Sequence, residues 1–261
     1  MKPLIVKLGG SVITDKSRPF SVRKSVLQRL AKELTSAKKP LVIVHGGGSF
    51  GHPLASKYEI AKGYKNKGQL MGLSYTHRAM ERLNASVVET LQEAGLPAMA
   101  IQPSACAVVH GGRIVSIELQ PVKKMLDLGI VPVLYGDAVV DHKKGMCILS
   151  GDQITARLAR ELGASRVILG ADVDGVYTSD PKSGKKAKLL RRITPATKGK
   201  LSLGGVRGVM DVTGGMKNKV EELMTLTKFG IECEIANATK PGVIKKLVSG
   251  KRGIGTIIGD A

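Results

Sequence analysis

Leu41-Val-Ile-Val-His-Gly-Gly-Gly-Ser-Phe-Gly-His52 is the stretch on which the reading of this 261-residue chain turns. Four apolar residues, three of them β-branched, run directly into three glycines, so a buried strand ends where the backbone becomes permissive and its N–H groups lie bare. Such a strand end suits an anion. His52, an imidazole just past the glycines, can donate a hydrogen bond to whatever the loop cradles.

Upstream, residues 3–8 read as a strand ending in Gly9-Gly10-Ser11, with Lys7 just inside the turn and Lys16 just beyond it. Ser21 reads as the N-cap of a helix to about residue 37, because Val22, Val26, Leu30 and Leu34 recur at helical spacing. Downstream, a basic loop from Lys62 to Gly68 leads into a helix over 69–94 that Gly95 and Pro97 stop. Residues 98–117 are β-like and interrupted by Gly111-Gly112; a short helix over 121–128 and an apolar run over 130–135 follow, ending in Gly136-Asp137. A hairpin over 138–149 turns at His142–Gly145 and delivers Ser150-Gly151-Asp152 to a helix reaching Leu162. The remainder alternates: strand 166–170, the loop Asp172-Val-Asp-Gly-Val-Tyr177, a basic connection, helix 216–229, strand 231–236, helix 241–248 and strand 254–258.

Strands separated by helices of this length imply an α/β fold, a three-layer αβα sandwich around a central, mostly parallel sheet with working loops at the carboxyl ends of its strands. The glycine clusters fall at those ends, within one domain over 1–261. Hydrophobic residues at 43% and charged residues at 24% are ordinary, and no run approaches the roughly 18 apolar residues of a membrane span. The N-terminus lacks a secretory pattern, so a cytoplasmic protein without membrane partners is expected. Cys106, Cys147 and Cys233 are odd in number, far apart and without a C-x-x-C pair, which makes them reduced, buried fillers. A formal charge of +20 predicts attraction to phosphates. Specific nucleic-acid binding fits poorly, since Trp is absent, aromatics are 3% and the basic residues are scattered without interleaved stacking side chains. The basic stretch 182–192 reads as a mobile surface loop.

One glycine pair at a strand end is usually a turn, but four clusters in combination carry more weight. They are Lys7-Leu-Gly-Gly-Ser11, His45-Gly-Gly-Gly-Ser-Phe-Gly-His52, Ser150-Gly-Asp152 and Thr213-Gly-Gly-Met-Lys-Asn-Lys219. Together they supply exposed amides, helix N-termini and cations, the three things a phosphate needs, and in enough copies for two anionic groups facing each other. The G-x-x-x-x-G-K-[ST] loop, the H-R-D and D-F-G pair of protein kinases and a G-x-G-x-x-G opening a first βα unit are all missing. Asp172-Val-Asp174-Gly175 fails as a calcium loop because its glycine comes too early and Val176 follows.

Lys7-Leu-Gly-Gly-Ser11, Asp172-Val-Asp-Gly-Val-Tyr177 and Gly214-Gly215-Met216 with Lys219 resemble the signatures of the amino-acid kinase superfamily, over nearly the whole chain. Within it, His45-Gly-Gly-Gly-Ser-Phe-Gly-His52 is similar to the isopentenyl phosphate kinase branch. The resemblance implies ATP-dependent phosphorylation of isopentenyl phosphate to isopentenyl diphosphate for isoprenoid synthesis of an archaeal type. It implies ATP and Mg²⁺ as cofactors, a homodimer, an acceptor lobe over 1–164 and a nucleotide lobe over 165–261. Lys7, Leu8, Gly9, Gly10 and Ser11 would surround the transferring phosphoryl group with Lys16 close by, and Gly47, His52 and Gly151 would hold isopentenyl phosphate. Gly48 would face the ATP γ-phosphate, Asp172 and Tyr177 would belong to the nucleotide pocket, and Gly215 and Lys219 to the ATP phosphates, Lys217 being a solvated neighbour. The catalytic set is thus Lys7, Lys16, His52 and Lys219, with no metal ligand among the protein residues.

The chemistry agrees with that assignment. An acceptor phosphate is already ionised near pH 7, so transfer needs cations and amides and no general base. Asp152 reads by spacing as a helix N-cap, His45 as structural, and His77, His110 and His142 as bland. Leu70, Leu73, Tyr75, Met80, Met146 and Ile148 are candidates for an apolar tail pocket. Two other functions stay open at this level: a related kinase acting on a phosphonate, a nucleoside monophosphate or an acyl amino acid, and a basic nucleic-acid-binding or regulatory module.

Overall fold

The computed structural model describes residues 2–179, 187–198 and 215–259. Its strands are β1 (Leu4–Leu8), β2 (Leu41–His45), β3 (Ala98–Ala100), β4 (Ala107–His110), β5 (Arg113–Ile117), β6 (Val131–Tyr135), β7 (Asp137–Asp141), β8 (Gly145–Leu149), β9 (Arg166–Ala171), β10 (Arg192–Ile193), β11 (Cys233–Asn237) and β12 (Thr256–Ile258). Its α-helices are α1 (Gly10–Ile13), α2 (Lys24–Leu34), α3 (Gly48–Lys57), α4 (Gly68–Glu93), α5 (Pro103–Cys106), α6 (Gln120–Asp127), α7 (Gly151–Glu161), α8 (Pro195–Lys198), α9 (Gly215–Met224) and α10 (Val243–Val248).

Eight strands form one sheet in the order β10-β12-β11-β9-β1-β2-β6-β3, and every pairing in it is parallel except β11 with β12. This is the α/β layering that the alternating sequence predicts. The chain grows outward from β1 in two directions, to β2 and β6 on one side and to β9 and β11 on the other. In such a sheet ligands bind outside the carboxyl ends of the central strands, and the register aligns those ends, with Leu8 paired to both His45 and Gly170 and His45 paired to Tyr135. The smaller hairpins β4–β5 and β7–β8 stand apart from the main sheet.

Alternation along β1 and β2 sorts side chains into two cores, one on each face. Ile5, Val42 and Val44 join Ile154 and Leu158 of α7 and Val220 and Leu223 of α9. Leu4, Val6, Leu8 and Ile43 join Leu27 and Leu30 of α2, Met80 and Leu83 of α4 and Ile244 of α10. The long helix α4 stops as expected: Gly95 takes φ +88°, its N–H donates to the Gln92 carbonyl (2.8 Å) and Leu96 donates to Leu91 (3.0 Å).

Several expectations need correction. Ser21 does not cap α2, which begins at Lys24 after Arg23; its carbonyl accepts from Asp15 (2.9 Å) and its N–H donates to Ser49 Oγ (3.3 Å), so it ties the loop before α2 to α3. The helix over 216–229 is α9 followed by a separate 3-10 turn at Thr227–Phe229. The basic connection contains a two-residue strand, β10, too short to leave a pattern. Cys147 and Cys233 are buried, whereas Cys106 is half-buried. Part of the 182–192 stretch, together with Thr213 and Gly214, lies outside the described residues.

Candidate active site

The glycines that end the central strands extend the ladder by one residue. Gly9 donates to the Gly170 carbonyl (2.9 Å), Gly46 to Leu8 (3.0 Å) and Gly136 to His45 (2.9 Å). Beyond that point the loops after β1 and β2 touch backbone to backbone: a Cβ on Gly10 would stand 2.3 Å from the amide nitrogen of Gly48. Gly48 itself adopts φ +47°, and a Cβ there would lie 2.0 Å from Thr14 Oγ1. Thr14 clips the loops together, donating its hydroxyl to the Gly10 carbonyl (2.7 Å) and accepting from the Ser49 amide (2.9 Å). Sequence reasoning overlooked it, as nothing in a lone threonine marks such a clip.

Pro53 lies inside α3 and lacks the N–H that would reach back to Ser49. The freed Ser49 carbonyl accepts instead from Phe20 (3.2 Å), which sits at φ +53°. Among the described residues, the amides of Gly10, Ser11, Gly47 and Gly48 donate to no protein acceptor. Four backbone donors thus stand at one seam of the sheet edge, as bare strand-end glycines should.

Charge completes the arrangement. Lys7 shares the β1 face of Ile5, beneath α7 and α9, and is only 3% exposed. A lysine there requires an anion, and Asp152 of α7 supplies it: Lys7 Nζ donates to Asp152 Oδ1, and Lys219 Nζ of α9 lies 3.6 Å from Oδ2. Burial pushes the Asp152 carboxyl up, and Lys7 followed by Lys219 more than reverses this, holding it below the ordinary aspartate value. The N-cap of α7 is Ser150, whose hydroxyl accepts from the Gln153 amide (3.2 Å), so the reading of Asp152 as the cap is wrong. Its true role was signalled by Lys7 itself, an interior-facing cation in an apolar strand.

Gly151 completes this junction. A Cβ on it would meet the His45 carbonyl at 3.1 Å and Lys7 Cε at 3.3 Å. His45 is fully buried, stacks on Tyr135 with ring centroids 5.5 Å apart, and has its nitrogens 3.1 Å from the Gly46 carbonyl and 3.1 Å from Asn84 Oδ1. Burial lowers its pKa to about 4, which leaves a neutral, structural imidazole.

The other named residues are distributed more widely. Leu8 is buried at the end of β1, and His52 is half-buried on α3 one turn after Gly48. Gly215 opens α9 at φ +61° and its carbonyl accepts from Lys219 Nζ (3.4 Å). Lys16 is exposed, and its neighbour Asp15 accepts from the Ser17 amide and hydroxyl; no hydrogen bond or ion pair among the described residues joins Lys16 to the Lys7–Asp152–Lys219 group. Asp172 is exposed beyond β9, and the Tyr177 hydroxyl lies 3.5 Å from Asp174 Oδ2. Asp174, which the sequence offered only as part of a rejected calcium loop, accepts from Asn237 (2.9 Å) and pairs with Lys240 (2.6 Å). Of the tail candidates, Leu70 and Tyr75 are exposed, whereas Met80 and Met146 are buried.

Lysines, bare amides and an organising carboxylate together make an arrangement able to bind phosphate groups; comparison with known proteins gives the family. The amino acid kinase family model matches residues 2–237. The isopentenyl phosphate kinase of Methanothermobacter thermautotrophicus is 41% identical over 98% of both chains, and that of Arabidopsis thaliana is 31% identical over 90% of this chain and 86% of the plant protein. A crystal structure of isopentenyl phosphate kinase superposes with a TM-score of 0.86 at 39% identity, covering 98% of this chain and 99% of the other. The chain therefore belongs to the isopentenyl phosphate kinases of the amino acid kinase family.

Proposed function

We propose that the chain transfers the γ-phosphoryl group of ATP to isopentenyl phosphate, yielding isopentenyl diphosphate and ADP. The observation that carries this reading is the convergence of Lys7 and Lys219 on buried Asp152, beside the unclaimed amides of Gly10, Ser11, Gly47 and Gly48. An ionised oxygen of the acceptor phosphate attacks the γ-phosphorus as the bond to the β–γ bridging oxygen breaks, and the electron pair leaves with ADP. No proton has to be removed. Lys7 and Lys219 neutralise the oxygens between donor and acceptor, Asp152 keeps both ammonium groups in place, and the amides of Gly10, Ser11 and Gly48 line the transferred group; Gly9, whose own amide is taken by the Gly170 carbonyl, contributes only a backbone without a side chain. Gly47, His52 and Gly151 hold the acceptor phosphate, Gly215 with Lys219 the ATP phosphates, and Asp172 and Tyr177 the nucleoside end. Lys16, on its exposed turn, reaches the phosphates from outside.

Among the described residues no group of three or more His, Cys, Asp or Glu gathers as a metal site, and Asp152 is already engaged by two lysines. Mg²⁺ would come with ATP and supply screening of the donor charge, beside the ammonium groups of Lys7 and Lys219. Residues 1–164 form the acceptor side and 165–261 the nucleotide side of an enzyme that works in the cytoplasm as a homodimer. No helix among the described residues is long and apolar enough to cross a membrane.

The test is an acceptor screen on purified protein, following ADP release with isopentenyl phosphate, dimethylallyl phosphate, a nucleoside monophosphate, a phosphonate and an acyl amino acid. Isopentenyl phosphate should give the highest kcat/KM. His52→Ala should lower that value roughly thirtyfold, the worth of about 2 kcal/mol for one hydrogen bond to a charged group. Unchanged turnover in both His52→Ala and His52→Gln would remove the histidine from the acceptor site.

A further inference from the structure

His77, which the sequence leaves unremarkable, lies on α4 at the centre of a polar cluster outside the phosphoryl-transfer group. Its Nδ1 is 2.8 Å from Asp137 Oδ1, and its Nε2 is 3.4 Å from Glu81 and 3.0 Å from the side-chain amide of Gln102. Asp137 is 1% exposed and fully committed: Oδ1 also accepts from the Ala138 amide (2.8 Å), and Oδ2 from Ser104 (3.3 Å). Nδ1–H donates to Asp137 while the Gln102 amide nitrogen, a donor, faces Nε2; the hydrogen bond to Asp137 raises the His77 pKa against the opposing effect of burial.

The cluster matters because of what each partner touches next. Asp137 directly follows Gly136, whose N–H donates to the His45 carbonyl and where a Cβ would stand 3.1 Å from the Gly151 amide nitrogen. Three residues after His77, on the same side of α4, Met80 places its sulfur 3.0 Å from the Cβ position of Gly47 and 2.9 Å from that of Gly51. A continuous chain of contacts thus runs from Gly47 and the first turn of α3 through Met80, α4, His77, Asp137 and Gly136 to Gly151. Its two ends are the segments read above as holding the acceptor phosphate.

We infer that His77, acting through Asp137, is a positioning residue for the acceptor: the pair locks α4 to the start of β7 and so fixes the spacing between the first turn of α3 and Gly151. The inference rests on the proposed acceptor site, and the experiment separates the two. Full-length wild type, His77→Leu and His77→Asn are compared by steady-state kinetics, varying isopentenyl phosphate and MgATP independently, and by amide hydrogen exchange over 46–52 and 136–151.

His77→Leu should raise KM for isopentenyl phosphate on the order of tenfold while kcat and KM for ATP stay within about twofold, and exchange should quicken in both segments. His77→Asn, whose amide can still donate to Asp137, should restore both readouts most of the way. Asp137→Asn should give a milder version of the leucine pattern and serves in its place if His77→Leu does not fold. Equal changes in kcat and both KM values, unchanged exchange in the two segments, or a folded His77→Asn that restores nothing would each overturn the brace. Failure of the wild type to use isopentenyl phosphate would instead defeat the substrate assignment, with hydrogen exchange still deciding whether the brace exists.

Discussion

Asp152→Asn is the sharpest single perturbation, because it removes one charge and almost no volume from the place where two lysines meet. At 3.6 Å and an effective dielectric constant near 20, the Lys219–Asp152 attraction is about 4 to 5 kcal/mol before desolvation is counted. Lys7 is the more buried partner, and deleting one member of a buried pair typically costs about 3 to 5 kcal/mol because the remaining charge has no counterion. Differential scanning calorimetry should therefore show a melting temperature lower by roughly 10 °C. In coupled ADP-release assays kcat should fall roughly 100- to 1,000-fold, as expected when preorganised cations lose their position. A pH signature accompanies the loss. The folded Asp152 carboxyl is held below its ordinary value, so its stabilising effect is complete above the unfolded aspartate range and disappears as pH falls through the lower folded value. Asp152→Asn should flatten that part of the acid-unfolding limb. A variant that keeps kcat within about threefold and melts with the wild type would refute the claim that this carboxylate organises the lysines.

Gly10→Ala drives a methyl into the Gly48 amide at 2.3 Å; two backbones would have to part, so activity should fall by at least about 100-fold with the fold largely retained by circular dichroism. Thr14→Val removes the clip and leaves a buried carbonyl and amide without their hydroxyl partner, a loss of about 1 to 3 kcal/mol measurable by urea titration. His45, lowered from 6.5 to about 4, stays neutral in the fold while the unfolded chain gains a proton, so stability should drop by about 3 kcal/mol as pH falls from 6.5 toward 4 and His45→Gln should remove that slope.

The strand ends were readable because apolar, β-branched runs that stop at glycine have few other uses in an α/β chain, and β2 (Leu41–His45) ends directly before the glycines. Helix limits followed where a terminator was local, as at Gly95, and failed where capping chemistry was ambiguous. Ser150 and Asp152 are both good caps, and only tertiary structure shows that the serine caps while the aspartate turns inward to lysines. His77 was passed over because Asp137 lies 60 residues away, although Glu81, one turn on, offered a local hint. The apolar residues of α4 could not be divided into exposed and buried from composition, since Leu70 and Met80 look equally suited to a pocket. Site chemistry was legible as residue types; which side chains converge depends on strand parity and chain crossings that only the fold supplies.

The central position of β1 has a consequence for how the enzyme is made. β1 is synthesised ahead of both its neighbours; β2 soon flanks one edge, and the other stays open until β9, beginning at Arg166, has been synthesised. Its lysine waits almost as long, since Asp152 follows Lys7 by 145 residues. At ~5–20 residues per second, nascent chains pass roughly 7 to 30 seconds with a sticky parallel edge and an uncompensated interior cation. Vectorial synthesis thus leaves β1 a vulnerable segment, one for chaperones to shield, and truncations ending before β9 should aggregate through it.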